Sequence, residues 1–350
     1  MAKLKVFNDL RCTEHNGGFG SMQRLTRRFL DVENVPAAEA ELGLFWNDAI
    51  TTPEEIRAFP RKKVVYLSAN YTKAFSGHKG SYFGDWLEER TRGVIDASDA
   101  TSHTSYAHRQ FVLQYVAPQA ATKPFCVFPP MYDPAVFHPA PMRHSGLRVV
   151  ATALWRDWHR WITIFQSFAV VLRKVPSAKL IMGGGYMCAE TNRKFPCNDV
   201  PYQQKSLAEE YHILDAIEWR QPTVDGFDAQ NQVIAETYRQ GNVFVHAYFA
   251  DWGTFTCIEA LASGLPVVCG DNGGLPEFAG DCAFIYKYGA GYDAPTMPPP
   301  NPTEVAAKIL EAYAGGDALK ERCIARAKQF EAVTVCAGLE GFLRKVADAR

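Results

Sequence analysis

The nine cysteines include no C-x-x-C pair, and the chain has no D-x-D triplet and no excess of charge of either sign. Scattered, odd-numbered cysteines speak against a zinc site or a disulfide framework and fit a reducing compartment. No apolar run reaches the roughly 18 residues of a spanning helix. The stretch from Met1 to Leu10 lacks the apolar centre of a secretory signal, so the expected location is the cytoplasm. With 37 Lys and Arg against 38 Asp and Glu, the net charge of −1 supplies no global basic field to draw nucleic acid. Any such partner would need a local patch, and Arg24, Arg27, Arg28 and Arg61-Lys62-Lys63 are the basic clusters available. Internal repeats and long low-complexity tracts are also missing, and Pro295 to Pro302 reads as a surface loop.

What is present suits two packed domains: 350 residues, 47% hydrophobic and 13% aromatic. Short strand-like runs at Leu4 to Leu10, Lys63 to Ser68, Gly93 to Ala97, Pro124 to Phe128, Arg148 to Ala153, Ala178 to Gly183, Asn242 to Ala247 and Pro266 to Cys269 alternate with helical patterns. The helical segments include Ser21 to Asp31, Arg160 to Lys174, Gln230 to Gln240 and Ile258 to Ser263. This alternation predicts an α/β protein of βα units and parallel sheets. The pattern breaks around Pro139 to Gly146, which places the domain linker there. The expected organisation is an N-terminal domain over residues 1–143 and a second domain over 144–330. A final helical segment over 331–350 is expected to pack back on the first domain.

Two passages carry chemistry. After the first strand, Asn16-Gly17-Gly18-Phe19-Gly20 opens a helix, and such a loop lets backbone N–H groups approach a diphosphate. A tight turn without a ligand is the structural alternative. The Walker lysine is missing and so is the third glycine of the dinucleotide fingerprint, which weakens both P-loop and NAD readings. The second passage runs from Asn242 through Asp251, Thr254-Phe255-Thr256 and Glu259 to Gly264-Leu265-Pro266, then Gly273-Gly274-Leu275-Pro276-Glu277. A buried strand ends near an acid, a helix carries a second acid, and Gly264-Leu265-Pro266 turns the chain into the next strand.

This passage resembles the C-terminal domain of the family 4 retaining glycosyltransferases of GT-B fold, in which two acids separated by seven residues bind the nucleotide sugar; Asp251 and Glu259 have that spacing. Cys126 to Pro139, Arg148 to Phe168 and Pro176 to Gly184 resemble further stretches of the family at lower specificity, whereas residues 30–90 are weakly matched. The resemblance implies two Rossmann-like domains facing a cleft and retaining, metal-independent sugar transfer. No cofactor is implied beyond the nucleoside-diphosphate sugar as co-substrate. It implies donor contacts from Gly17, Gly18, Phe19, Gly20, His159, Thr254, Phe255, Thr256, Glu259, Gly273 and Gly274. Catalytic roles fall to Asp251, Arg156, Arg160 and Asn70, the last where the family has a histidine after a strand.

Departures accompany the resemblance. Asp251 stands where the family usually has Glu, and the family's Arg and Lys phosphate pair falls on Leu154 and His159, with Arg156 and Arg160 nearby. The acceptor stays open between a glycan, a small molecule and a hydroxylated DNA base. Phosphorylase or epimerase chemistry, or donor binding without turnover, are the other readings. His103 and His108 fit polar surface or core groups.

Overall fold

The computed structural model describes residues 2–11, 18–47, 51–67, 85–140, 145–152, 161–183, 199–220, 227–289 and 299–349. Two six-stranded sheets, in which every strand pair is parallel, form its framework. The first contains β1 (Lys5–Asn8), β2 (Glu33–Asn34), β3 (Leu42–Asn47), β4 (Lys62–Leu67), β5 (Ala100–His103) and β6 (Phe125–Val127), in the order β2-β1-β3-β4-β5-β6. The second contains β7 (Arg148–Thr152), β8 (Lys179–Gly183), β9 (Ile217–Arg220), β10 (Val243–Val245), β11 (Val267–Gly270) and β12 (Ala283–Tyr286), in the order β12-β11-β10-β7-β8-β9. The α/β class with parallel sheets predicted from alternation is the class observed.

Strand composition explains the parallel arrangement. β10 is Val-Phe-Val with all three residues buried, and β7, β8 and β11 are buried along nearly their whole length. Strands apolar on both faces need helices on both sides, which is the condition of a parallel sheet. Of the helices, α1 spans Gly18–Phe29, α2 Pro53–Ala58, α3 Asp85–Ala97, α4 Tyr106–Phe111, α5 Trp161–Lys174 and α6 Asp199–Glu210. There follow α7 (Phe227–Arg239), α8 (Phe255–Ala262), α9 (Leu275–Ala279), α10 (Pro302–Ala314), α11 (Gly316–Ala327) and α12 (Ala332–Asp348). Among the described residues no helix is long and apolar enough to cross a membrane.

The structure corrects one predicted strand. Gly93 to Ala97 is the last turn and a half of α3, with Val94 and Ile95 buried on one face. A short apolar run has no periodicity of its own, and here it continues a helix begun upstream. Strands β2, β3, β5, β9 and β12 were not anticipated; β5 (Ala-Thr-Ser-His) and β9 (Ile-Glu-Trp-Arg) carry polar residues that interrupt an apolar run.

In each sheet the chain winds one way from an inner strand and later the other way from its neighbour. The reversal falls between β1 and β3 in the first sheet and between β7 and β10 in the second. Crevices at the carboxyl ends of such neighbouring strands are where open α/β sheets bind ligands.

Helix α12 crosses from the second half of the sequence to the first sheet. Its Val335, Leu339, Leu343 and Val346 recur at helical spacing and are buried in one core with Leu42, Val64 and Trp46. Tyr132 and Ala332 hold its start, through Tyr132 N–H to Phe330 O at 3.1 Å and Ala332 N–H to Tyr132 O at 2.9 Å. Leu343 is fully buried, so Leu343→Ala should lower the unfolding free energy by about 2–5 kcal/mol through lost burial and a residual cavity. Denaturant titration checks this, and a loss below about 0.5 kcal/mol would mean that α12 contributes little to the first core.

Candidate active site

The second reversal point gathers several polar groups. β7 ends at Thr152, and β10, which pairs with it through Phe244 and Val150, ends at Val245, one residue before His246. Beyond His246 the chain turns through Ala250 with φ +53°, unusual for a residue with a side chain, and reaches Asp251. Asn272 steadies this turn by accepting the Ala250 N–H at 2.8 Å. The Asp251 Oδ1 accepts the Gly253 N–H at 3.3 Å, and the Asp251 carbonyl accepts the Gly274 N–H at 2.7 Å.

Gly273 and Gly274 are pressed against that loop. Gly273 has φ +76°, and a Cβ there would lie 2.3 Å from the Asp251 carbonyl oxygen; one on Gly274 would lie 2.5 Å from the Trp252 carbonyl oxygen. The glycines therefore meet protein backbone first, and the Gly274 N–H is already engaged.

Helix α8 follows immediately. Thr254 caps it without a side-chain cap bond, its hydroxyl instead lying 2.7 Å from that of Thr256. Phe255 packs against the core of the first sheet, joining the helix start to the other half of the molecule. The helix ends at Ser263 and Gly264, whose φ of +84° suits the left-handed closure, with Leu265 N–H bonding back to Ala260 O at 2.9 Å.

Glu259 lies on α8 and is 9% exposed. Its Oε2 accepts the Tyr238 hydroxyl at 3.2 Å, and the same hydroxyl lies 2.7 Å from that of Thr152. Since Tyr238 has one hydrogen to give, Thr152 donates to Tyr238 and Tyr238 to Glu259, a chain ending at the reversal point. Burial pushes the Glu259 carboxyl up to about 7, while the Tyr238 bond pulls the other way. A carboxylate so placed is costly when empty and gains from any ligand that donates hydrogen bonds to it.

The first sheet meets this loop directly. Thr104, just past β5, donates to the Trp252 carbonyl at 2.9 Å and lies 3.1 Å from His108 Nδ1. The Trp252 ring is near-parallel to His108 and lies 4.7 Å from Phe111 between centroids. Burial drives the His108 imidazole down to about 3, so it is neutral and serves as a packed ring. Glu277 reaches across to accept the N–H groups of Tyr106 and Ala107, each at 3.0 Å, at the start of α4.

The site thus brings together Asp251, Thr254, Thr256, Glu259, Gly273 and Gly274. Gly20 is buried in the first turn of α1, with Gly18 and Phe19 beside it in the helix backbone. Gly17, Asn70, Arg156, His159 and Arg160 lie outside the described residues. Sequence reasoning missed His246, Tyr238 and Thr152. A histidine inside the run Asn242-Val243-Phe244-Val245-His246-Ala247 was a visible signal, whereas nothing local marks Tyr238, which is 21 positions from Glu259.

Two parallel sheets facing each other through the β5–α4 and Asp251 loops define a GT-B fold, and known structures share it. HepE of Anabaena in complex with UDP and glucose superposes with a TM-score of 0.67 at 12% identity, covering 98% of this chain and 99% of that one. A glycosyltransferase from Rickettsia africae gives 0.66 at 11% identity, covering 95% and 82%. Sucrose-phosphate synthase from Thermosynechococcus elongatus gives 0.63 at 15% identity, covering 88% and 74%. By sequence, no curated protein matches the chain. Residues 160–330 match the family model for glycosyl transferases group 1, a span that holds Tyr238, His246, Asp251, Glu259 and the Gly273-Gly274 turn but not Thr104 or Thr152.

The shifted carboxyl makes a sign-definite prediction. The Glu259 carboxyl titrates near 7 in the folded protein against about 4.5 unfolded, so its contribution is fully present below pH 4.5 and is lost as pH rises through 7. The stability of the protein relative to its Glu259→Gln variant should fall by about 3 kcal/mol across that window and then level off. Chemical denaturation at pH 4.5, 6, 7 and 8 measures it, and a pH-independent difference would contradict the burial of an uncompensated carboxyl.

Proposed function

We propose that the chain is a retaining glycosyltransferase that moves a sugar from a nucleoside diphosphate to a hydroxyl acceptor without a metal ion or other cofactor. The observation that carries the reading is Glu259, a buried carboxylate at the second reversal point inside the segment that matches the glycosyltransferase family. HepE of Anabaena, which shares the fold, was solved with UDP and glucose, and the pneumococcal O-GlcNAc transferase GtfA with UDP and GlcNAc.

In this reading Glu259 accepts the ribose hydroxyls of the donor and Asp251 the hydroxyls of the sugar. Departure of the diphosphate concentrates negative charge, and fixed cations and backbone N–H groups must stabilise it. Arg156 and Arg160, with the Gly17 to Gly20 loop, take that role because a guanidinium stays charged and grips two phosphate oxygens at once; His159 completes the donor site. Asn70 serves at the acceptor side. The two sheets form the cores of two domains joined near Pro139 to Gly146, and the transferred sugar lies between them. Nucleic acid is the less favoured acceptor, since Arg61, Lys62 and Lys63 line a cleft together with Glu39, Glu41, Asp99 and Asp348, which cancel the basic charge.

Two measurements test the proposal. Ribose hydroxyls prefer the ionised Glu259, so donor binding should release a proton and tighten as pH rises from 6 to 8, while Glu259→Gln binds weakly and without this pH dependence. Calorimetry with UDP-sugars and other nucleotide sugars reads both, and unchanged affinity in the variant would remove Glu259 from the donor site. Transfer should also survive chelation, as the missing D-x-D triplet implies. Loss of activity in EDTA, restored by Mn²⁺ or Mg²⁺, would overturn the metal-free account.

A further inference from the structure

His246 occupies a position that ordinary packing would give to an aliphatic residue. It is 2% exposed, follows three buried apolar residues of β10, and has its backbone fully used. Its N–H donates to Val268 O and its carbonyl accepts the Tyr286 hydroxyl, both at 2.9 Å. The Tyr248 ring lies against the imidazole, with centroids 3.9 Å apart. A buried imidazole normally has its nitrogens paired. Here neither nitrogen has a hydrogen-bond partner among the described residues. Nε2 nevertheless stands 3.2 Å from Asp251 Oδ2, within ion-pair distance but out of line for a hydrogen bond.

The other side of Asp251 is already anchored. Its Oδ1 accepts the Gly253 N–H, and its carbonyl accepts the Gly274 N–H. One carboxylate oxygen is thus tied to backbone, and the second lies 3.2 Å from an imidazole nitrogen that has no hydrogen-bond partner among the described residues. Catalytic hydrogen bonds are often misaligned in an empty site and tighten only when it fills.

We infer that His246 is a positioning residue for Asp251. With a sugar in the site, its Nε2–H donates to Oδ2 and fixes the carboxylate between the imidazole and the Gly253 amide. Each oxygen then keeps a lone pair for a sugar hydroxyl. The inference rests on the reading that Asp251 contacts the sugar, and the variants separate the two.

The test is steady-state turnover of UDP-glucose by the full chain with water as acceptor, followed through release of UDP and reading kcat and the donor KM separately. His246→Leu fills the space without a donor and should lower kcat about 10- to 100-fold, with KM changed less than about twofold. His246→Gln offers an amide N–H near the Nε2 position and should recover most of the loss, whereas His246→Asn, with its amide nearer the Nδ1 position, should not. In an Asp251→Asn background, His246→Leu should have almost no further effect. Should the leucine variant not fold, the glutamine and asparagine pair decides. Equal impairment of those two, full activity in His246→Leu, or an undiminished effect of His246→Leu in the Asp251→Asn background would overturn the inference. Wild-type activity in Asp251→Asn would instead remove Asp251 from the sugar site.

Discussion

No side chain fits between the Gly273 turn and the Asp251 loop. The separation that would put a Cβ 2.3 Å from the Asp251 carbonyl oxygen lets two loops from neighbouring strands, β10 and β11, lie backbone against backbone. Much of the site follows from that contact. The Gly274 N–H holds the Asp251 carbonyl, Asn272 holds the Ala250 N–H, and the strained Ala250 turn delivers Asp251 beside His246. A side chain at position 273 would have to part these loops, moving the carboxylate away from the reversal point between β7 and β10.

The same constraint governs how the halves of the molecule meet. Gly273-Gly274 leads into α9, and Glu277 on α9 accepts the first N–H groups of α4 beside the first sheet. Trp252, one residue past Asp251, packs on His108 and Phe111 from that sheet, and its carbonyl is held by Thr104. The loop that presents Asp251 is thus also the loop that touches the opposite sheet. Movement of one sheet relative to the other would be felt at Asp251 through these packed rings and hydrogen bonds.

Much of the fold was legible because it is written in local patterns. Alternation of apolar runs with helical segments predicted parallel sheets, and the spacing of Asp251 and Glu259 with Gly264-Leu265-Pro266 marked the candidate site. The misread segment, Gly93 to Ala97, shows the limit: five residues with two adjacent apolar side chains fit a strand or a helix end equally well, and only the upstream turns of α3 decide. The partners of the two acids were hidden for a different reason. Tyr238 and Thr152 reach Glu259 from a separate helix and a separate strand, a meeting set by sheet order rather than by spacing. The resemblance implied donor contacts from Gly273 and Gly274, whereas their nearest neighbours are the Asp251 and Trp252 carbonyls, a contact that no periodicity reveals.

The role proposed for the buried Glu259 carboxylate, held by Tyr238 beside the end of β7, is to bind the donor nucleotide. The most direct measurement is a crystal structure of the protein soaked with a nucleoside diphosphate sugar. The account predicts ribose hydroxyls within about 3 Å of the Glu259 oxygens, with the sugar beside Asp251. A nucleotide bound elsewhere, with Glu259 still paired to Tyr238 alone, would contradict it.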